Sequence, residues 1–239
     1  MTYPERGSAE IIERACASTA AVLAGVRAAD FGRPTPCRSW TVKDVVNHVI
    51  GSAAWYAGLA EEGAVADRDE ANDEADGVEA GGVEADGVEA DSGVAVSDEA
   101  GSGGADRTVG DFHATFRREA DRLVAAFSAP GAMDKIMEMP FGGMPGSVCV
   151  WIAAGDIFTH GWDLAKATGQ PSDLDPELAV KLLAQIEKLL PDALRGPEGE
   201  APFGPKVEVI GPASAADRLA AFEGRQPLVA FKGRQPERP

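Results

Sequence analysis

Apolar side chains recur along this chain at spacings of three and four, the period of an amphipathic helix, in five separate stretches. Ile11, Ile12, Ala15, Val22, Leu23 and Val26 make the first, with Ser8 as its N-cap, and the pattern continues to about Asp30. Gly32, Pro34 and Pro36 then predict a loop. Thr41 and Asp44 have capping-box spacing ahead of Val42, Val45, Val46, Val49, Ile50 and Ala53, so a second helix follows. Thr108 and Asp111 repeat that spacing before Phe112, Phe116, Ala120, Leu123 and Phe127, and Pro130-Gly131 ends this third stretch. Residues 132–146 are broken by Pro140, Gly142, Gly143, Pro145 and Gly146 and read as an irregular loop with room for a short extended piece. Ser147 is the expected cap of a fourth helix ending near Gly169, which suits a left-handed stop. Asp175-Pro176-Glu177 opens a fifth, whose buried face is Leu178, Leu182, Leu183, Ile186, Leu189 and Leu190. Beyond Gly196 an alternating piece at 206–210 and a short helix from Ser214 to Phe222, stopped by Gly224, hold too little apolar surface for a core of their own. The reading is mainly α: a four-helix bundle over 7–190, with a C-terminal extension, 196–239, packed on it.

Charge alters this picture at one place. The formal net charge of the 239 residues is −17, but residues 64–106 carry 14 Asp/Glu against a single Arg, a net of −13, which leaves an ordinary −4 for the rest. The same segment repeats on a five-residue period, as in Ala75-Asp76-Gly77-Val78-Glu79 and Ala85-Asp86-Gly87-Val88-Glu89. A glycine in every unit and isolated valines predict a disordered insert within the bundle domain. The Gly/Asp spacing is looser than calcium-binding repeats require. Without a Lys/Arg stripe to neutralise phosphates, a nucleic-acid partner is disfavoured. Cys16, Cys37 and Cys149 are odd in number and far apart, which argues against a disulfide framework or a zinc knuckle. No run of about eighteen apolar residues and no basic-then-apolar leader occurs, so no membrane partner and a cytoplasmic location are expected.

Three histidines are few enough to weigh singly. Asp156 and His160, four residues apart on the fourth helix, lie on one face among Val148, Val150, Ile152, Ile157 and Phe158. Such a pair is often a helix-surface ion pair or a hydrogen-bonded core residue. A carboxylate in so apolar a helix nevertheless needs a counter-charge, and a cation is one solution. His48, near the start of the second helix, could add a third ligand across a helix interface; two imidazoles and one carboxylate are the donor set of a catalytic divalent metal. Asp163 shares the face of His160 and could orient its ring, or could be a surface carboxylate. Trp162 reads as core or pocket wall, His113 as an exposed or a lip residue, and Cys37 as a small buried loop residue.

Taken together, Thr35-Pro36-Cys37-Arg38-Ser39-Trp40-Thr41-Val42-Lys43-Asp44-Val45-Val46-Asn47-His48, Pro140-Phe141-Gly142-Gly143-Met144-Pro145-Gly146 and His160-Gly161-Trp162-Asp163-Leu164-Ala165-Lys166 resemble the DinB-like, mycothiol-dependent maleylpyruvate isomerase superfamily. Asp217 to Pro227 resembles the tail of its metal-binding branch. The resemblance implies an up-and-down four-helix bundle and a divalent metal, usually zinc, held by His48, Asp156 and His160. It also implies mycothiol as thiol cofactor and a small electrophile such as maleylpyruvate as substrate, in an isomerase or thiol transferase; a monomer or homodimer is expected. The characterised isomerases carry Glu where this chain has Asp156. A non-catalytic metal-binding regulatory or stress-associated protein of the same fold is the alternative.

Overall fold

Local capping chemistry sets most of the helix starts. The computed structural model describes residues 6–37, 39–65, 106–140, 142–197, 201, 203–209 and 211–226. Most of the acidic insert and the last thirteen residues therefore lie outside the described residues. Among the described residues six α-helices are formed: α1 (Ala9–Leu23), α2 (Val42–Glu62), α3 (Phe112–Ser128), α4 (Gly146–Thr168), α5 (Pro176–Leu189) and α6 (Ala215–Phe222). Reciprocal capping boxes close Thr41 with Asp44 on α2 and Ser214 with Asp217 on α6, and the Asp175 carboxylate accepts from Leu178 N on α5. Gly169, at φ 74°, ends α4 in the left-handed conformation.

Several boundaries depart from the sequence reading. Helix α1 stops at Leu23, short of Asp30, because the Gln170 amide donates to Val22 O and its side chain fills the space beside Gly25. The cap of α3 is Asp111, which accepts from Ala114 N, while Thr108 donates to Asp106 instead. Helix α4 begins at Gly146 behind Pro145, with no side-chain cap from Ser147. The stretch expected to be an irregular loop is largely an antiparallel hairpin of β2 (Lys135–Met139) and β3 (Gly142–Pro145), joined on its other edge by β1 (Ala64–Val65). Burying Met137 and Met139 on one face supplies its anchor. Among the described residues of 206–209 no strand forms; Val207 N donates to Ala221 O.

The helices run up, down, down, up, which refines the expected up-and-down bundle. Gly7 N donates to Ser147 O at one end of the α1/α4 pair and Gln170 reaches Val22 at the other, so those two are parallel. Arg107 N donates to Asn47 near the start of α2, and Arg122 pairs with Glu61 near its end, so α2 and α3 are parallel as well. His113 of α3 meets Val26 O just past α1, making that pair antiparallel. A parallel neighbour requires a long return connection, which is what the segment between α2 and α3 provides. Helix α4 is buried on nearly every side, with Ile157, Phe158, Trp162 and Leu164 at the centre of the core. Gly161 lets α1 approach it closely: a Cβ there would lie 2.4 Å from Thr19 Oγ1. That hydroxyl donates to Ile157 O at 2.9 Å.

Candidate metal centre

An imidazole on the second turn of α2 and a carboxylate and imidazole one turn apart on α4 meet where these antiparallel helices face each other. His48 Nε2 lies 3.1 Å from Asp156 Oδ1, and His160 Nε2 lies 3.4 Å from the same oxygen. The ligand-type atoms of all three fall within 4.8 Å of one another. The two rings stand edge to face, 4.5 Å between centroids. Both histidine side chains are about nine-tenths buried, whereas Asp156 keeps 22% exposure and forms the solvent-facing corner. His48 Nε2 also has Ser52 Oγ at 3.1 Å, one turn along α2. Trp40, just before the Thr41 cap, stacks on His160 (5.5 Å, 18°) and tilts against His48 (4.8 Å), roofing both rings.

The far side of His160 is held by a second set of charges. Its Nδ1 lies 3.1 Å from Oδ2 of the fully buried Asp163, and Arg225 donates to that same oxygen at 3.3 Å. Arg225 in turn reaches Glu223 Oε2 at 3.3 Å. Two residues past His160, Trp162 Nε1 donates to Asp217 Oδ1 at 3.0 Å, and Lys166 closes on the same carboxylate at 2.9 Å. Helix α6 and the residues just after it thus pack against α4 on the far side of His160.

The charge balance follows from this crowding. Burial works to raise the Asp156 carboxyl, but the His48 charge and the hydrogen bonds of both histidines outweigh it and hold Asp156 well below the usual carboxylate range. Burial works to lower the His160 imidazole, but Asp156 and Asp163 overcome it and push it up to about 9. Burial pushes Glu223 up to about 7 against the pull of Arg225. Burial opposes the charge on Arg225 as well, yet Asp163 and then Cys37 raise it above its ordinary value. These directions belong to the side chains by themselves. A bound divalent cation would favour neutral His160 and keep Asp156 ionised.

The donor set fits such a cation. Two imidazole nitrogens, His48 Nε2 and His160 Nε2, converge on one carboxylate oxygen, the arrangement a metal would replace.

Residues 12–165 match the family model described as the mycothiol maleylpyruvate isomerase N-terminal domain. The chain belongs to that family. Two uncharacterized proteins of Mycobacterium tuberculosis, one from each of two strains, are 34% identical to it over 217 residues, spanning 89% of this chain and 94% of each relative. Crystal structures of the mycothiol-dependent maleylpyruvate isomerase and of one of its histidine-to-alanine mutants superpose with TM-scores of 0.47 and 0.49, at 17% and 18% identity. Each comparison covers 77% of this chain and 71% of the other. All three of His48, Asp156 and His160 fall inside the span matched by the family model; Glu223 and Arg225 fall outside it.

His113 is absent from the cluster: its Nε2 faces Val26 O at 3.2 Å and its Nδ1 lies 3.6 Å from Asp111. Cys37 stands closer to the chemistry than a bland loop residue would, since its sulfur lies within 4.8 Å of ligand atoms on His160 and Asp163. Trp40, Ser52, Glu223 and Arg225 were not singled out by the sequence reading. The available signals were indirect: Trp40, Glu223 and Arg225 lie in stretches that carry the family resemblance, and Asp163, inside an apolar helix, had to be given a cation from somewhere.

Proposed function

We propose that this protein is a divalent-metal enzyme, most simply a zinc enzyme, that uses mycothiol to isomerise, or transfer a thiol to, a small electrophile such as maleylpyruvate. The observation that carries the reading is the convergence of His48, Asp156 and His160 from two antiparallel helices onto one point, in a chain of the mycothiol maleylpyruvate isomerase family. When bound there, a divalent cation with an open coordination position would lower the pKa of an incoming thiol and so supply a nucleophile near neutral pH. His48 and His160 would hold the cation through Nε2, and Asp156 would contribute the neutralising charge. The Asp163 carboxylate, 3.1 Å from His160 Nδ1, would steady the His160 ring, and the Arg225 guanidinium sets a positive charge against the buried Asp163. Trp40 keeps water off the two rings, while the partly exposed Asp156 corner is the side from which ligands would arrive. Addition of the thiolate to a conjugated double bond, rotation about the resulting single bond and expulsion of the thiolate would invert a cis alkene. Retention of the adduct would make a transferase.

The organisation proposed to go with this is a bundle domain over 7–190 interrupted by the 64–106 insert, followed by the 196–239 extension. It would act in the cytoplasm as a monomer or homodimer. Among the described residues no helix is long and apolar enough to cross a membrane. Calorimetric titration with mycothiol, run on zinc-loaded and on stripped protein, tests the central claim. Binding confined to the loaded form supports it; equal binding by both forms, or zinc retained at full occupancy by His160→Ala on elemental analysis, refutes it.

A further inference from the structure

The outer side of the α1/α3 pair is used neither by the core nor by the metal centre. From Ala15 to Val26 the chain has no charged residue, and the outward positions there, Ala17, Ala21 and Ala24, are exposed alanines. A helix face turned to water ordinarily carries charge. Opposite this face α3 sets the half-buried Val124 and the exposed Ala125, and between the two helices runs a groove of about 350 Å³ with the buried Cys16 among its walls. Charge enters at three places on the rim. Glu13 belongs to the first half of α1 and Arg117 to the first half of α3, and these helices are antiparallel, so the two lie toward opposite ends of the groove. Asp121 is one turn along α3 from Arg117, in the direction of the Glu13 end. Glu13, Arg117 and Asp121 form no ion pair among the described residues.

We propose that this groove is a homodimer interface, covered by the same groove of a second copy lying antiparallel across it. A two-fold axis at right angles to the groove brings the Arg117 end of each copy over the Glu13 end of the other, so each unpaired charge meets its opposite, twice over. An unrelated partner would have to carry that order of charges independently; a second copy has it by symmetry. Methyl-sized side chains allow the facing helices to approach closely. The proposal gives the monomer-or-homodimer reading above a surface and stands apart from the metal reading. Helix α1 packs on α3 and α4, and α2 packs on the same two, so the α1/α3 seam lies across the bundle from the α2/α4 seam that holds His48, Asp156 and His160. Helix α1 has 15 residues, about 22 Å, and two helices each about 10 Å wide present roughly 450 Å² per copy before the relief of the side chains is counted. That is the low end for a specific interface, so the dimer should be reversible, exchanging with monomer in the micromolar range.

Sedimentation equilibrium of the full-length protein, loaded from low to high micromolar, should show a monomer–dimer equilibrium. Ala17→Glu puts a charge on the alanine face and should weaken association by about tenfold or more, with an unchanged melting temperature because Ala17 is exposed. Arg117→Glu sets like charges against each other and should weaken it by a similar factor, and adding Glu13→Arg to the same chain should restore the parent affinity. Monomer at every loading, a dimer indifferent to Ala17→Glu, or an Arg117→Glu defect that Glu13→Arg leaves unrepaired would each overturn the proposal.

Discussion

Raising the pH from about 7 to about 8 should tighten metal binding roughly tenfold, because the cation must displace the proton that the neighbouring carboxylates favour on His160. The His160 ring sits between Asp156 Oδ1 at 3.4 Å and Asp163 Oδ2 at 3.1 Å, and the two carboxylates push it up to about 9 despite burial. Near pH 7, about two units below that value, displacing the proton costs about 2.7 kcal/mol, and each further unit of pH removes about 1.4 kcal/mol of that cost. The sign for the metal-free fold is the opposite. A raised imidazole stabilises the folded state fully below its ordinary value near 6.5, and that contribution is lost as the pH climbs through about 9. Metal-free protein should therefore lose stability over the interval in which metal affinity grows. Chelator competition at several pH values, with the chelator's own protonation calibrated, measures the first trend, and urea denaturation measures the second. In Asp163→Asn one of the two raising charges is gone, so the break in the affinity profile should move below pH 9, and the loosened ring should cost roughly 10 to 100-fold in affinity. A profile flat between pH 7 and 8 in the parent protein, or a break unmoved in Asp163→Asn, would refute this account of the charge balance.

Three other outcomes follow from the packing. Arg225→Ala leaves the fully buried Asp163 without its guanidinium and should cost about 3 to 5 kcal/mol in chemical denaturation; a loss under about 1 kcal/mol would mean the pair is idle. Gly161→Ala drives a Cβ to 2.4 Å from Thr19 Oγ1 and should cost about 1 to 3 kcal/mol, with a smaller penalty in a Thr19→Ala background; equal penalties in both would place the strain elsewhere. Lys43 pairs with Asp106 at 2.6 Å near the start of α2, while Val65 lies past its end, so the chain between them must return along 21 residues of helix, about 31 Å. Replacing residues 66–105 by about fifteen Gly/Ser residues should lower the melting temperature by less than about 8 °C, whereas a four-residue link should unfold the bundle. Equal stability of the two would contradict the parallel pairing of α2 and α3.

Periodicity revealed the helices because each must bury one face, and that requirement is written locally every three or four residues. Thr41 with Asp44, Asp175 before Pro176, and Gly169 marked boundaries for the same reason: a cap acts within one turn of the backbone it satisfies. The hairpin at 135–145 was hidden because glycine and proline signal only that the helix stops. Its pairing depends on Met137 and Met139 finding the core. Of the candidate centre, Asp156 and His160 were legible as a helical pair, and His48 as a third histidine on another apolar face. Trp40, Cys37 and Arg225 were not, since their approach to His160 depends on a loop conformation and on a helix more than 50 residues downstream. The direction of the helices escaped the sequence as well, because parallel and antiparallel neighbours show the same apolar stripe.

Arg225 stands 62 residues beyond the carboxylate it neutralises and outside the 12–165 span that defines family membership. The four helices that hold the histidines are thus not a transferable cassette. Cut free at the end of α4 or of α5, they would keep every proposed metal ligand and still carry a buried anion with no guanidinium against it. Grafting this centre onto another bundle would mean moving two segments together: the helices that bind, and the short return of chain around 215–225 that makes their interior electrically tolerable.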